Sequence, residues 1–214
     1  MDPAVYDAWY DAPRGRWIGN IELSLLQALV QARAGDAVLD AGCGTGWFTR
    51  RFAEYQACMT GLDISPEALT FARVKGPPEI TWALGDVRAL PFKDRSFDRV
   101  ISMTALCFVD DEQAALSEIV RVTRTRFAVG LLNRSSLLHR WKGRPGTQSA
   151  YRGARWHRPN EVRRLMSGLP VDDLVFRSGV MFPSGHFIAR AAERVLPAFL
   201  PWGSLLIVAG SPRR

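Results

Sequence analysis

The stretch Val38-Leu39-Asp40-Ala41-Gly42-Cys43-Gly44-Thr45-Gly46 runs an apolar strand into three alternating glycines and on into a helix-competent segment that opens at Trp47. Glycines gather at the end of a buried strand where the chain must turn sharply and where a Cβ would hold a ligand away from the backbone. The spacing is GxGxG, because position 47 is Trp, so it departs from the GxGxxG of a dinucleotide turn. No Lys-Ser or Lys-Thr pair follows the glycines, which disfavours a phosphate loop. The turn is built for a ligand without a pyrophosphate.

From Asp36 to Arg126 short apolar runs alternate with amphipathic stretches, the signature of successive βα units around a parallel sheet. The pattern predicts strands at Ala37–Ala41, Cys58–Asp63, Thr81–Gly85, Val100–Met103 and Phe127–Leu132, with helices at Trp47–Glu54, Pro66–Val74 and Gln113–Val122. Ser65-Pro66-Glu67 is a helix start with a capping hydroxyl, a proline at the first helical position and an acid in the first turn. Upstream, Ile18–Ala32 reads as one amphipathic helix carrying Ile21, Leu25 and Leu29 on its apolar side. Downstream the expected elements are a helix at Pro159–Gly168, a strand at Leu174–Val180, a helix at Phe187–Val195 and a last strand at Leu205–Ala209. The segment 133–158, rich in Gly and Arg, follows no clear pattern.

Two acidic positions sit where ligands of open α/β sheets bind, at the carboxyl ends of strands. Asp63 lies about 20 residues after the glycines, the distance at which a carboxylate accepts hydrogen bonds from ribose hydroxyls; the alternative is a helix-capping aspartate. Gly85-Asp86-Val87 pairs a short carboxylate, suited to an exocyclic amine, with an apolar cover for a purine face, although an exposed turn would look the same.

With these elements in order, the chain resembles the class I S-adenosylmethionine-dependent methyltransferases, in particular small-molecule methyltransferases with a compact core. The resemblance is carried by VLDAGCGTG (38–46), GLDIS (61–65), GDVRALPFKDRSFDRVIS (85–102) and SEIVRVTR (117–124). It implies one methyltransferase domain over 1–214: a Rossmann-like, seven-stranded, mostly parallel sheet with an antiparallel last strand and helices on both faces. It also implies S-adenosyl-L-methionine as cofactor. Asp40, Ala41, Gly42, Cys43, Gly44 and Gly46 would surround its methionine part, Asp63 would hold the ribose, and Ile64 would pack on the adenine. Asp86 and Val87 would address the adenine amine and ring, with Met103 and Thr104 beside the methyl donor and acceptor. Tyr6, Trp9 and Arg14 look like a lid from the aromatic segment 1–17, and 133–158 and 181–203 look like substrate-side insertions.

Methyl transfer from a sulfonium is an in-line displacement that mainly demands alignment, with a general base useful when the acceptor is a hydroxyl. His139, His157 and His186 are the histidines, and His157, just ahead of a helix, is the first candidate; a surface or capping histidine is the plainer reading. Cys107, between Leu106 and Phe108, reads as a buried structural thiol.

Composition trims the alternatives. Three widely spaced cysteines form neither a disulfide framework nor a metal clip, which fits a reducing cytoplasm, and no metal site is expected. The start MDPAVYDAWY has no basic residue ahead of an apolar run, and the apolar stretch 195–210 is broken by Pro197 and Pro201, so neither a secretory signal nor membrane insertion is expected. Charge is lopsided: residues 1–120 hold 11 Lys and Arg against 17 Asp and Glu, whereas 121–214 hold 17 against 4. A small-molecule acceptor is the favoured partner. The basic half leaves open an RNA substrate, tracked by Arg121 to Arg164, and an intact cofactor pocket is also compatible with a non-catalytic sensor.

Overall fold

The computed structural model describes residues 2–142, 151–184 and 186–213. Its centre is a seven-stranded sheet in the order β3-β2-β1-β4-β5-β7-β6. The strands are β1 (Ala37–Ala41), β2 (Cys58–Asp63), β3 (Thr81–Leu84), β4 (Phe97–Met103), β5 (Thr123–Leu132), β6 (Val171–Gly179) and β7 (Leu205–Pro212). β1 is parallel to β2 and β4, β2 to β3, and β4 to β5, while β7 runs antiparallel to both β5 and β6. The topology expected from the resemblance is therefore present, including the reversed last strand.

Strands buried on both faces read as continuous apolar runs, and alternate residues serve opposite layers. Val38, Ile101, Ala128 and Ile207 pack beneath α2 (Pro13–Val30) and α3 (Trp47–Ala53), which contribute Leu26, Leu29, Phe48 and Phe52. Leu39, Val100, Phe127 and Val208 face the other layer, where α5 (Glu112–Val122) brings Leu116 and Ile119 and α7 (Pro159–Ser167) brings Val162 and Met166. α4 (Pro66–Lys75) starts as its sequence dictates, with the Ser65 hydroxyl accepting from Ala68 N at 3.1 Å. α6 (Leu137–Lys142) and α8 (Phe187–Val195) complete the set. Most expected boundaries hold to within one to three residues, and β5 begins four residues early because it leaves α5 without a loop. Of segment 133–158, residues 143–150 lie outside the described residues, as does residue 185 within 181–203.

The N-terminus differs more. Instead of one helix from Ile18, two helices precede the sheet: α1 (Pro3–Trp9) and α2, which opens at Pro13. Each has proline in its first turn, where the missing N–H and fixed φ cost nothing, and Asp2 caps α1 by accepting from Ala4 N at 2.8 Å. That punctuation outweighs the Gly15 and Gly19 that interrupt the apolar pattern.

What holds α1 down is Asp7, 1% exposed and bonded to Arg50 of α3 at 2.7 Å and to Lys75 of α4. Burial pushes the Asp7 carboxyl up, but its bonds to Lys75 and Arg50 prevail and hold it below the usual carboxylate range. Tyr10 then stacks on Trp47 with ring centroids 4.3 Å apart, and Phe48 meets Tyr10 edge-on. Removing one partner of a buried pair strands the other charges, so Asp7→Ala is expected to lower stability by about 3 kcal/mol at neutral pH and to free α1. Because the folded carboxyl is depressed, the difference from wild type should shrink as pH falls below about 4. Thermal unfolding across pH, with limited proteolysis of residues 1–12, checks both.

Candidate functional site

A cleft of about 380 Å³ opens at the carboxyl ends of β1 and β4. Its floor is the glycine turn. Gly42 adopts φ 79°, and a Cβ built on it would lie 2.3 Å from Ala105 Cβ, so packing and backbone both require glycine. Gly44, at φ 53°, is different: a Cβ there would meet no described protein atom within 4 Å, so what it leaves open is the cleft itself. Asp63, at the end of β2, fixes this turn by accepting from Gly44 N at 2.7 Å through one oxygen and from Ser65 N at 2.9 Å through the other. Each carboxylate oxygen keeps a lone pair for a ligand.

Across the cleft Thr104 follows β4 with φ 56° and ψ −2°, an unfavourable left-handed conformation for a β-branched residue. Its N–H donates to the Gly130 carbonyl at 2.8 Å, which holds the turn in place. Such strain is tolerated where the surrounding structure fixes it, as at ligand sites.

Asp40 is buried beneath the turn and accepts from the Thr49 hydroxyl at 2.6 Å. Burial pushes its carboxyl up to about 7. Asp86 lies at the opposite end, where Arg88 donates to it through Nε and the guanidinium NH2, the latter at 2.6 Å. Those bonds hold the Asp86 carboxyl low. Ile64 is 66% exposed and Phe108 53% exposed, both on the cleft rim, while Val87 is buried behind it. Exposed apolar side chains at a concave rim are surfaces a flat ligand would cover.

Of the residues anticipated from sequence, the structure gathers Tyr6, Asp40, Gly42, Cys43, Gly44, Asp63, Ile64, Asp86, Val87, Met103 and Thr104 around this one cleft. Ala41 lies in β1 immediately before the turn and Gly46 caps α3 immediately after it. Two of the three lid residues lie elsewhere. Trp9 packs edge-on against Tyr10 at 4.9 Å outside the cleft lining, and Arg14 Nε is committed to the Pro183 carbonyl at 2.6 Å. His157 is also corrected. It is 2% exposed, its Nε2 is bonded to Glu112 Oε1 at 2.8 Å, and its N–H donates to the Leu132 carbonyl, so it joins α5 to the end of β5 rather than facing the cleft. His139 packs against Trp156, and neither it nor His186 lines the cleft.

Tyr10, Trp47, Phe48, Arg88, Phe108, Val109 and Asp110 line the cleft without having been anticipated there. The aromatic density of residues 6–17 was the available signal for Tyr10; nothing in the pattern singled out Phe108 or Asp110. Cys107 is the buried thiol expected, pushed up to about 12 by burial and accepting from Leu132 N at 3.2 Å. Among the described residues no cluster of ligating side chains could hold a metal ion, and no helix is long and apolar enough to cross a membrane.

A methyltransferase-domain family matches residues 39–126. An uncharacterised Mycobacterium tuberculosis protein is 36% identical over 174 residues, covering 78% of this chain and 57% of that protein. A malonyl-[acyl-carrier protein] O-methyltransferase of Erwinia pyrifoliae is 44% identical over 98 residues, covering 45% of this chain and 37% of the relative. The chain thus spans little more than half, or less, of the length of these curated relatives. Among solved structures, a Thermotoga maritima S-adenosylmethionine-dependent methyltransferase described as a possible histamine N-methyltransferase superposes with a TM-score of 0.79 at 25% identity, covering 97% of this chain and 94% of that one. Residues 39–126 thus match a methyltransferase domain, and in sheet order and cleft the chain has the Rossmann-like fold of the class I S-adenosylmethionine-dependent methyltransferases. S-adenosylmethionine is accordingly the implied cofactor, and the site fits it: the open side of Gly44, the spare lone pairs of Asp63 and the carboxylates around a cationic ligand are complementary.

The raised Asp40 carboxyl predicts pH-dependent cofactor binding. A cationic cofactor beside it favours the ionised form, so a proton held by the free protein near pH 6–7 is released on binding. Affinity is expected to rise with pH up to about 7 and then level off. Calorimetry in buffers of different ionisation enthalpy should show proton release that disappears in Asp40→Asn.

Proposed function

We propose that this protein transfers the methyl group of S-adenosylmethionine to a small-molecule acceptor. The observation that carries the reading is Asp63, whose carboxylate locks the glycine turn at the carboxyl end of β1 and still offers acceptor positions to a ribose. The bound cofactor would supply an electrophilic methyl on a sulfonium. In this reading Ile64 and Val87 enclose the adenine, and Asp86 turns from Arg88 to share its amine. Met103 and Thr104, set rigidly at the end of β4, fix the line along which the acceptor approaches. Tyr6, Tyr10, Trp47 and Phe48 form the wall that excludes water.

Charge supports a small acceptor over a nucleic acid. The cleft is lined by the carboxyls of Asp40, Asp63, Asp86 and Asp110, and the Arg88 beside them is spent on Asp86, so phosphates would be repelled. The Erwinia relative, named for methylating a malonyl group on a carrier protein, is consistent with a small organic acceptor.

Asp63→Ala is expected to weaken S-adenosylmethionine and S-adenosylhomocysteine binding by about 100-fold, equivalent to two charge-assisted hydrogen bonds. NADH should not bind either protein. Calorimetry on the two proteins decides: unchanged affinity in the variant removes Asp63 from the site, and a folded wild type that ignores S-adenosylmethionine defeats the whole reading.

A further inference from the structure

A second recess, of about 450 Å³, is bordered by α5, α7 and residues 155–157, and no residue lines both it and the cleft. Three arginines stand around it. Arg134 follows β5, Arg155 comes just before the bridge that pairs His157 with Asn133, and Arg164 lies on α7. Backbone bonds fix the first two: Arg134 N donates to the His157 carbonyl at 2.9 Å, and Arg155 N to the Cys107 carbonyl at 2.6 Å.

The acids of the recess are already engaged. Glu112 is bonded through Oε1 to His157 Nε2 at 2.8 Å, and Glu161 accepts from Arg158 N at 2.8 Å at the start of α7. Arg155 reaches Glu112 only at 3.4 Å and Arg134 reaches Glu161 only at 3.8 Å, with both guanidiniums half exposed. Among the described residues the Arg164 side chain has no hydrogen-bond or ion-pair partner. Each guanidinium carries a fork of five N–H donors, so the recess holds far more donors than its acids use. His157 also lines it, is 2% exposed, and has an Nδ1 with no partner among the described residues. A buried nitrogen left so calls for a ligand, or a water bound with one, to complete it. The field stays positive next door, where burial and then Arg134 and Arg158 hold the His139 imidazole below its ordinary range.

The geometry points to a second ligand site, in which Arg134, Arg155 and Arg164 bind the terminal phosphate of a small phosphate monoester. Planar guanidiniums meet phosphate oxygens through pairs of parallel hydrogen bonds, and binding would replace two long ion pairs with short ones. A single terminal phosphate meets three cations against two acids. A polymer fits less well, because Glu112 and Glu161 in the same recess would repel the neighbouring phosphates of a continued backbone. The site does not rest on the methyltransferase reading. It gives a use to part of the basic half of the chain, which the carboxyl-lined cleft does not draw on.

Calorimetry of phenyl phosphate with the full chain, in a phosphate-free buffer of low salt, tests this. Phenyl phosphate is expected to bind wild type, and the double variant Arg155→Gln with Arg164→Gln to weaken binding by about tenfold. Arg33→Gln with Arg73→Gln removes the same charge outside the recess and should stay within about twofold of wild type. Arg164→Gln alone removes no hydrogen bond or ion pair among the described residues, so it guards against misfolding; it should still weaken binding by about threefold. Asp63→Ala, in the cleft, should leave the affinity unchanged. No binding by wild type, no loss in Arg164→Gln, or an equal loss in the two double variants overturns the proposal. So does tighter binding in Asp63→Ala, which would put the anion in the cleft. A short single-stranded RNA without terminal phosphates that binds tighter than phenyl phosphate, and is lost in the same variants, also overturns it.

Discussion

One carboxylate joins the two halves of the site. Asp63 ends β2 and accepts from Gly44 N on the glycine turn and from Ser65 N at the start of α4. The turn can lie against Ala105, just past β4, only because Gly42 has no Cβ and adopts a φ that other residues avoid. Gly42 N and Cys43 N then both donate to the Leu62 carbonyl, the residue before Asp63. β1, β2 and α4 therefore meet at the cleft through a single hydrogen-bonded knot, and the exposed Ile64 is delivered to the rim by the same turn.

That knot is why the floor of the cleft was legible. Its requirements are backbone requirements, which force particular residue types at particular spacings: glycine at 42 and 44, an acid at 63, a capping Ser65 followed by Pro66. The sheet was legible for a related reason, since strands buried on both faces leave apolar runs that turns must separate. The start of α2 was not, because its apolar period is broken by Gly15 and Gly19. Those glycines are there for close packing against the Trp9 backbone and Tyr10, a tertiary demand invisible to periodicity.

The rest of the cleft wall depends on side chains from distant parts of the chain, and no local spacing records that. His157 illustrates the failure in one direction: its place before a helix made it a candidate base, but its burial against Glu112 spends it on joining α5 to β5. Glu22 illustrates the other. It lies on α2 between the buried Gly19 and Leu26 and is itself half-buried, and burial pushes its carboxyl up. The stripe and the charge were both in the sequence; only packing shows that they conflict.

Asp7 and Glu22 show how one fold handles two buried acids in opposite ways. Asp7 is answered by Arg50 and Lys75, so its charge is retained and it ties α1 to α3 and α4. Glu22 is answered by no described side chain, and its burial favours the protonated form. A compensated acid can only be structural, because displacing its partners would undo the contacts that position α1. An uncompensated one is relieved by protonation, so its burial raises the carboxyl instead of fixing a charge. By anchoring α1, Asp7 also holds in place Tyr10, which follows that helix and stacks on Trp47.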